Sequence, residues 1–259
     1  MTITFYKYHG TGNDFIIVDN RLQNINKNKT HRIAQLCNRR FGIGADGFIF
    51  LENDTISDFN MAYYNADGNK SSMCGNGGRC ITAFAKFLNI IEKETQFMAI
   101  DGLHKAKIED NTVHLQMQDV VNVEKHKTHL FLDTGSPHHV EYVTHLKDLD
   151  VKLQGAKIRY GKPYNDAGSN VNFVEQLSED TFAVRTYERG VEDETLSCGT
   201  GATAVALAMY SNASTQSNTV KLKTLGGDLK VTFKISKNGY NNIWLIGPTK
   251  LVFKGKVEW

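Results

Sequence analysis

The chain has 259 residues, long enough for one large domain or two moderate domains that each bury a core. Its content of 41% hydrophobic and 22% charged residues is that of an ordinary soluble globular protein. The net charge of +2 comes from 30 basic and 28 acidic residues, without a long run of either sign. This balance argues against a protein that binds nucleic acid or a membrane surface.

The sequence shows no sign of export, membrane insertion or metal binding. Its N-terminal segment lacks a basic leader followed by an apolar core, and no stretch approaches about 18 consecutive apolar residues. We therefore expect a cytoplasmic protein. The cysteines are too few for a disulfide scaffold and lack the spacing of a structural zinc site, so no metal is expected. They are Cys37, Cys74, Cys80 and Cys198.

Segments rich in β-branched and aromatic residues predict strands in both halves of the chain. They cover residues 3–6, 15–18, 48–51, 219–223 and 229–233. A helix is predicted at 30–37, where Ile33, Leu36 and Cys37 share one face, and we interpret Cys37 as a core residue. Residues 80–88 and 202–209 are apolar nearly all round, which predicts two enclosed helices.

These two apolar helices belong to an internal repeat. Each follows a Cys-Gly-x-Gly sequence, and the two cysteines, Cys74 and Cys198, lie 124 positions apart. Upstream, residues 59–65 align with 182–188, and residues 11–13 with 134–136, both at an offset of 123. Three collinear matches at nearly one offset indicate a duplication. We predict an α+β fold of two homologous domains, each a mixed β-sheet wrapped around a central apolar helix, with the active site in the cleft between them.

A cysteine at the start of a helix points to acid–base chemistry. The first amides of a helix lack internal acceptors and carry partial positive charge, which favours a thiolate or a bound anion there. The glycines after each cysteine permit unusual backbone angles and the close approach of a ligand. Two such thiols can invert a carbon stereocentre without a cofactor, because one removes a proton while the other returns a proton to the opposite face.

Several motifs make the whole chain resemble the diaminopimelate epimerase family. The resemblance implies a cofactor-independent isomerase that interconverts LL- and meso-diaminopimelate in the synthesis of lysine and peptidoglycan precursors. It also places residues 247–259 with residues 1–117 in the Cys74 half, and leaves 118–246 as the Cys198 half. A homodimer is the expected assembly. The motifs are His9–Phe15, Gly44–Gly47, Asn65–Gly68, Met73–Gly77, Gly135–His138, Asn170–Phe173, Tyr187–Gly190 and Ser197–Gly201.

The resemblance also implies a role for each site residue. Cys74 and Cys198 become the two acid/base residues, and Glu188 holds the reacting ammonium and, with His138, sets the protonation of the thiols. Arg189 pairs with the distal carboxylate of the substrate. The remaining substrate contacts come from the amides and side chains of Gly75, Asn76, Gly199, Thr200, Asn13, Asn65 and Asn170.

Two positions differ from some members of the family, and four alternatives stay open. Gly47 stands where some members have glutamine, and Ser136 where some have asparagine. Proline racemase and hydroxyproline epimerase share the fold and the cysteine pair, but their first motif has histidine in place of Asn76, and their one-ended substrates need no Arg189. Outside that class, the cysteines could form a redox thiol switch, or the fold could be a ligand-binding module.

Overall fold

The computed structural model describes residues 1–22 and 24–259. The chain forms two compact units, of which the first contains residues 1–115 and 247–259 and the second contains residues 116–246. Among the described residues, none of the helices combines the length and the apolar character that crossing a bilayer requires.

The first unit takes seven strands and two helices from the N-terminal part of the chain and one strand from the C-terminal part. In chain order they are β1 (Thr2–Gly10), β2 (Asn13–Asp19), α1 (Thr30–Cys37), β3 (Gly47–Glu52), β4 (Phe59–Asn65), α2 (Gly75–Phe87), β5 (Glu94–Ala99), β6 (Gly102–Glu109), β7 (Thr112–Gln116) and, from the end, β17 (Lys250–Glu258).

The second unit is continuous in sequence. Its elements are β8 (Glu124–Lys125), β9 (Leu130–Asp133), β10 (Pro137–Tyr142), a 3₁₀ turn (Leu146–Asp148), α3 (Val151–Tyr160), β11 (Asn170–Ser178), β12 (Thr181–Glu188), β13 (Asp193–Thr195), α4 (Gly199–Ser211), β14 (Thr219–Thr224), β15 (Gly227–Ser236) and β16 (Gly239–Pro248).

The strands pair in the same order and sense in both units. The order is β17-β1-β2-β3-β4-β5-β6-β7 in the first unit and β8-β9-β10-β11-β12-β14-β15-β16 in the second. In each unit the third and fourth strands are parallel, as are the fifth and sixth, and the other neighbours are antiparallel. Strand β13 adds a short pairing to β12. The predicted α+β fold with two homologous halves is confirmed.

A buried helix packs against the strands of each unit. Helix α2 contacts β1, β2, β3, β4 and β6, and α4 contacts β9, β10, β11, β12, β14 and β15. Most of their side chains are buried, as expected for helices that lack a polar face. A charged residue, Arg79, lies in the part of α2 that precedes the predicted helix, and its side chain is completely buried.

The predicted helix at 30–37 and the five predicted strands are present in the structure. Helix α1 spans Thr30–Cys37 and buries Ile33, Leu36 and Cys37. These side chains join an apolar cluster with residues of β2 and β3. Burial raises the pKa of the Cys37 thiol to about 12, so Cys37 is a neutral core residue, as its sequence position predicted.

The central helices begin earlier than predicted, and their glycines have a different function from the one expected. Helix α2 begins at Gly75 and α4 at Gly199, rather than at residues 80 and 202. The glycines therefore have helical backbone angles, and the expected unusual conformation is absent. Close packing explains them instead. A Cβ atom at Gly201 would lie 2.4 Å from the side-chain oxygen of Asn172, and one at Gly78 would lie 3.0 Å from Leu115.

Candidate active site

Cys74 is the N-cap residue of α2, so its side chain stands at the end of the helix where the backbone amides are exposed. The side chain is half-buried, and Sγ donates to Oδ1 of Asn13 at 3.5 Å. Nδ2 of Asn76, in the first turn of the helix, donates to the same oxygen at 3.1 Å. The first unit therefore brings three of the predicted site residues together.

The orientation of the Asn13 amide is fixed by a carboxylate. Nδ2 of Asn13 donates to Oδ2 of Asp46 at 2.7 Å. A carboxylate accepts hydrogen bonds, so the NH₂ group must face Asp46 and the carbonyl oxygen must face Cys74. As a result, Cys74 faces an acceptor, which favours the protonated thiol.

An ion-pair network holds Asp46 in place. Arg39 donates to Oδ1 of Asp46 at 2.6 Å and to Oδ1 of Asp14 at 2.7 Å, and the ammonium group of Lys7 lies 2.6 Å from Oδ2 of Asp14. Burial opposes ionisation of Asp14, but the hydrogen bonds from Arg39 and Lys7 outweigh it and lower its pKa to about 2. Asp14 therefore remains charged at neutral pH, and its ion pair with Arg39 helps to hold that guanidinium against Asp46.

Asn13 reaches Cys74 because of a tight turn between β1 and β2. Gly10 and Asn13 form the last pair of this hairpin, and the two residues between them have left-handed angles, with φ of 49° at Thr11 and 86° at Gly12. This geometry suits glycine and is costly for a β-branched residue. The Oγ1 atom of Thr11 accepts a hydrogen bond from Nη2 of Arg79 at 3.2 Å, which ties the turn to α2.

Cys198 is the N-cap residue of α4 and has a different set of partners. Its Sγ atom accepts from the backbone amide of Gly201 at 3.4 Å and lies 3.3 Å from the hydroxyl of Thr200. The residue is 8% exposed. An amide and a hydroxyl can both donate to sulfur, so these surroundings favour the thiolate, in contrast to those of Cys74.

His138 is completely buried in β10, a strand that packs against α4. Burial, together with the nearby charge of Arg189, lowers its pKa to about 3, so the ring is neutral near pH 7. Its Nδ1 atom accepts from Nδ2 of Asn172 at 3.1 Å, which leaves the proton on Nε2. Oδ1 of Asn172 accepts from Thr186 at 3.0 Å and occupies the space beside Gly201.

Asn170 and Arg189 are linked through the backbone. Nδ2 of Asn170 donates to Oγ of Ser136 at 2.8 Å and to the carbonyl of Pro137 at 3.0 Å, while its Oδ1 accepts from the amide of Arg189 at 3.0 Å. The guanidinium of Arg189 is on the surface and donates to the carbonyl of Ala167 at 3.0 Å. Asn170 therefore holds the backbone of Arg189 in place directly after the end of β12.

The other predicted residues lie at the ends of strands. Glu188 is half-buried at the end of β12, and Asn65 is exposed at the end of β4. Gly47 pairs with Asn65 across β3 and β4. A Cβ atom at Gly47 would lie 2.5 Å from the ring of Tyr63, so this ring occupies the space that a side chain at position 47 would need.

Three residues near the thiols had no assigned role from the sequence. Asp46 and Asn172 orient Asn13 and His138, and both stand within motifs that the sequence identified. Arg79 lies five positions after Cys74, and the signal for it was a single arginine in an otherwise apolar segment. Within the described ranges, no group of histidine, cysteine and acidic residues is arranged to hold a metal ion.

Comparison with known proteins identifies the family. Residues 5–123 and 130–252 match the family model described as diaminopimelate epimerase. The diaminopimelate epimerases of Flavobacterium psychrophilum and Chlorobaculum tepidum are 58% and 41% identical to this chain, and each alignment covers 96% of the chain and 98% of the relative. The chain belongs to the diaminopimelate epimerase family. The predicted resemblance is therefore confirmed.

The diaminopimelate epimerase family shares its fold with other proteins of known structure. A phenazine biosynthesis protein of the PhzF family from Bacillus anthracis has a TM-score of 0.81 at 13% identity, and the alignment covers 100% of both chains. A probable proline racemase from Agrobacterium radiobacter has a TM-score of 0.68 at 13% identity, covering 99% of this chain and 93% of the other. At these identities the similarity shows the fold alone, whereas the family match favours diaminopimelate epimerase over the proline racemase alternative.

Proposed function

We propose that this member of the diaminopimelate epimerase family interconverts LL- and meso-diaminopimelate with Cys74 and Cys198 as its two acid/base groups. The observation that carries the proposal is the equivalent position of the two thiols, each at the N-cap of the central helix of its unit. One thiolate removes the proton from the α-carbon, and the other residue, as a thiol, returns a proton to the opposite face. This exchange needs no electron sink other than the substrate carboxylate.

The hydrogen-bond partners suggest which thiol is charged before substrate is deprotonated. Cys198 has donors in the Gly201 amide and the Thr200 hydroxyl, and we assign it as the thiolate. Cys74 donates to the Asn13 oxygen, and we assign it as the thiol. The opposite protonation state forms after each turnover and serves the reverse reaction.

The carboxylate at the reacting carbon would bind at the helix starts. The first intrahelical acceptors are the carbonyls of the two cysteines, which receive the amides of Gly78 and Ala202. In general the amides that precede the first intrahelical bond of a helix favour a bound anion. We assign them to the carboxylate and to the negative charge of the planar intermediate; they belong to Gly75, Asn76, Gly199 and Thr200.

The remaining assignments concern the reacting ammonium, the protonation of the thiols, the distal carboxylate and the amide contacts to substrate. Glu188 binds the reacting ammonium, and the neutral ring of His138 helps to set the protonation of the thiols. Arg189, whose guanidinium is on the surface, binds the distal carboxylate. Asn13, Asn65 and Asn170 contribute amide contacts, and the bonds within the protein described above would hold Asn13 and Asn170 ready for this contact.

We also propose the wider setting of the enzyme. Residues 1–117 with 247–259 would form the epimerase half that carries Cys74, and residues 118–246 the half that carries Cys198. The enzyme would act in the cytoplasm as a homodimer, which sedimentation of the purified protein would test. Its product would supply lysine and peptidoglycan precursor synthesis.

Solvent exchange tests the activity directly. The purified protein is incubated with LL-diaminopimelate in deuterated water without an added cofactor, and the α-carbon is analysed for deuterium and for configuration. Deuterium in the meso product is the expected result. Exchange into proline without exchange into diaminopimelate would overturn the proposal in favour of a proline racemase. No exchange into either substrate would favour a thiol switch or a binding module.

A further inference from the structure

The first turn of α2 covers a buried arginine that the proposed reaction does not yet use. Arg79 is 0% exposed. Its Nη1 atom donates to the carbonyl of Gly75 at 3.4 Å and its Nη2 atom to Oγ1 of Thr11 at 3.2 Å, while Nε has no hydrogen-bond partner. Both acceptors are neutral, and the first belongs to the residue directly after Cys74. The guanidinium therefore lies under the helix end that carries the thiol.

A buried guanidinium without a carboxylate partner is costly. Arginine stays protonated in proteins, so burial cannot remove the charge by deprotonation. An uncompensated buried charge loses the solvation that water would give, and buried arginines are normally paired. Burial lowers the pKa of Arg79, whereas electrostatic coupling to Cys80 and to Cys74 works in the opposite direction. An anion close to Arg79 would relieve this cost.

The neighbouring titratable groups leave the charge of Arg79 uncompensated. Burial raises the pKa values of Cys80 on α2 and Tyr8 on β1, so both are neutral near pH 7. Asp14 on β2 is paired with Lys7 and Arg39. The atoms nearest to Gly77 in α2 are apolar, from Met61, Ile49 and Phe15, and the buried side chains of β6 are those of Ala106 and Ile108.

The second unit has no charge at the equivalent position. The offset of 124 that relates Cys74 to Cys198 relates Arg79 to Thr203. Thr203 is buried, and its hydroxyl donates to the carbonyl of Gly199 at 3.0 Å. Cys198 has the Gly201 amide and the Thr200 hydroxyl beside its sulfur, whereas the Asn13 oxygen beside Cys74 repels a negative charge. The cap hydrogen bond that the Cys198 sulfur accepts has no counterpart at the side chain of Cys74.

We propose that Arg79 is a positioning residue whose buried guanidinium is the counter-charge for the thiolate that Cys74 forms when it gives up its proton. This inference rests on the proposed acid/base function of Cys74. In the resting enzyme the Asn13 oxygen holds Cys74 as a thiol. Once Cys74 has protonated the substrate, the positive charge of Arg79 stabilises the Cys74 thiolate. Cys74 can then act as the base in the reverse direction. The two halves therefore stabilise their thiolates by different means, one by charge and the other by hydrogen bonds.

The test is the pH dependence of alkylation at each cysteine. The full-length protein is treated with iodoacetamide over a range of pH, and the rates at Cys74 and Cys198 are read separately by mass spectrometry of their peptides. In Arg79→Gln the apparent pKa of Cys74 should rise by about one unit or more, which is about a tenfold loss of rate at a pH below both values, while that of Cys198 stays unchanged. Arg79→Lys, which keeps the charge, should stay near wild type.

A control variant separates the effect of the Arg79 charge from the effect of the hydrogen bond between Arg79 and the turn at Thr11. Thr11→Val removes the oxygen that Arg79 contacts but leaves the guanidinium in place, so it should not raise the pKa of Cys74. The proposal is overturned if Arg79→Gln leaves the Cys74 pKa unchanged, if Thr11→Val raises it as much, or if the pKa of Cys198 rises equally. If Arg79→Gln does not fold, the neutral variant Arg79→Met replaces it, and an unchanged Cys74 pKa in that variant overturns the proposal. Alkylation needs no turnover, so a failure of the epimerase assignment would leave this readout intact.

Discussion

The Nδ2 atom of Asn172 lies 3.1 Å from Nδ1 of His138, and both side chains are buried. Because an amide nitrogen only donates, this contact keeps Nδ1 unprotonated and places the single imidazole proton on Nε2. The tautomer of His138 is thus determined by one neighbouring side chain, which is itself held by Thr186.

Removing the Asn172 amide donor should lower the stability of the fold and change the tautomer of His138. We expect Asn172→Leu to lower the free energy of unfolding by about 1–3 kcal/mol, because Nδ1 of His138 is left buried and unpaired. The ¹⁵N chemical shifts of the ring should show a mixture of tautomers in place of one. Thr186→Val is the matched control, since it removes a bond of Asn172 but not the one to His138. A wild-type tautomer signal in Asn172→Leu would contradict the assignment.

Each active-site thiol should be essential. We expect Cys74→Ala or Cys198→Ala to abolish epimerisation, because each removes the proton donor or acceptor on one face of the carbon. Cys37→Ala should keep the activity, since that thiol belongs to α1 and is buried in the apolar core of the first unit. Circular dichroism would check that all three variants fold, and a coupled assay would follow the formation of meso-diaminopimelate. Substantial turnover by either active-site variant would exclude the two-base mechanism.

Glu188 and Arg189 are adjacent in sequence but should differ kinetically. Arg189→Leu should raise KM and weaken the preference for diaminopimelate over shorter amino acids, because a charged contact worth about 2–5 kcal/mol in binding is lost. Some loss of kcat is also expected, since remote binding energy helps to close the site. Glu188→Gln should instead depress kcat more than KM. Steady-state kinetics on both variants decides, and an unchanged KM and selectivity in Arg189→Leu would show that the distal assignment is wrong.

Two equivalent helical glycines should respond in opposite ways to alanine. Gly77 and Gly201 occupy the same position in α2 and α4. A Cβ atom at Gly201 would lie 2.4 Å from Oδ1 of Asn172, so Gly201→Ala should displace Asn172 and cost about 1–3 kcal/mol. At Gly77 the nearest atom, 3.2 Å away, is the flexible end of Met61, and the higher helix propensity of alanine should make Gly77→Ala neutral or stabilising by up to about 1 kcal/mol. Urea unfolding of the two variants measures the difference, and equal losses would contradict the packing argument.

The buried histidine should make the protein sensitive to mild acid. The pKa of His138 is lowered to about 3 in the folded protein, whereas its ordinary value is about 6.5. Between pH 3 and about pH 6.5 the unfolded chain therefore binds a proton at this residue more readily than the folded protein does. Stability should therefore fall as the pH drops below about 6.5, by at most about 1.4 kcal/mol per pH unit from this residue. His138→Gln should reduce this slope between about pH 6.5 and 5 relative to the wild-type protein. An unaltered slope in His138→Gln would count against this origin.

The strands and the helix at 30–37 could be predicted because their apolar residues follow the period of the element they form. The repeat also predicted that the two halves would share one fold, and the matching strand order agrees. The starts of α2 and α4 were placed too late because glycine is a poor helix former, and a glycine-rich run suggests a loop. Tertiary packing overrides that preference where Asn172 and Leu115 leave no room for a side chain.

A site residue could be predicted where a reactive side chain stands within a recognisable sequence motif, as Cys74 and Cys198 do. Residues that act through another residue could not be found in this way. Asp46 is 33 positions from Asn13, and Asn172 is 34 positions from His138, so both contacts exist only once strands distant in sequence have paired. Arg79 likewise contacts the turn at Thr11, and the sequence of α2 alone could not predict this contact.

The pairing of β17 with β1 has a consequence for synthesis. Strand β1 is synthesised before the second unit, but its partner on one side, Lys250–Glu258, is synthesised after that unit. The second unit, which is continuous from 116 to 246, can complete its core while β1 still has an open edge. The half that is made first is therefore completed last, and until then its open strand is a target for holding chaperones. A fusion or truncation at the C-terminal end would act on the N-terminal half.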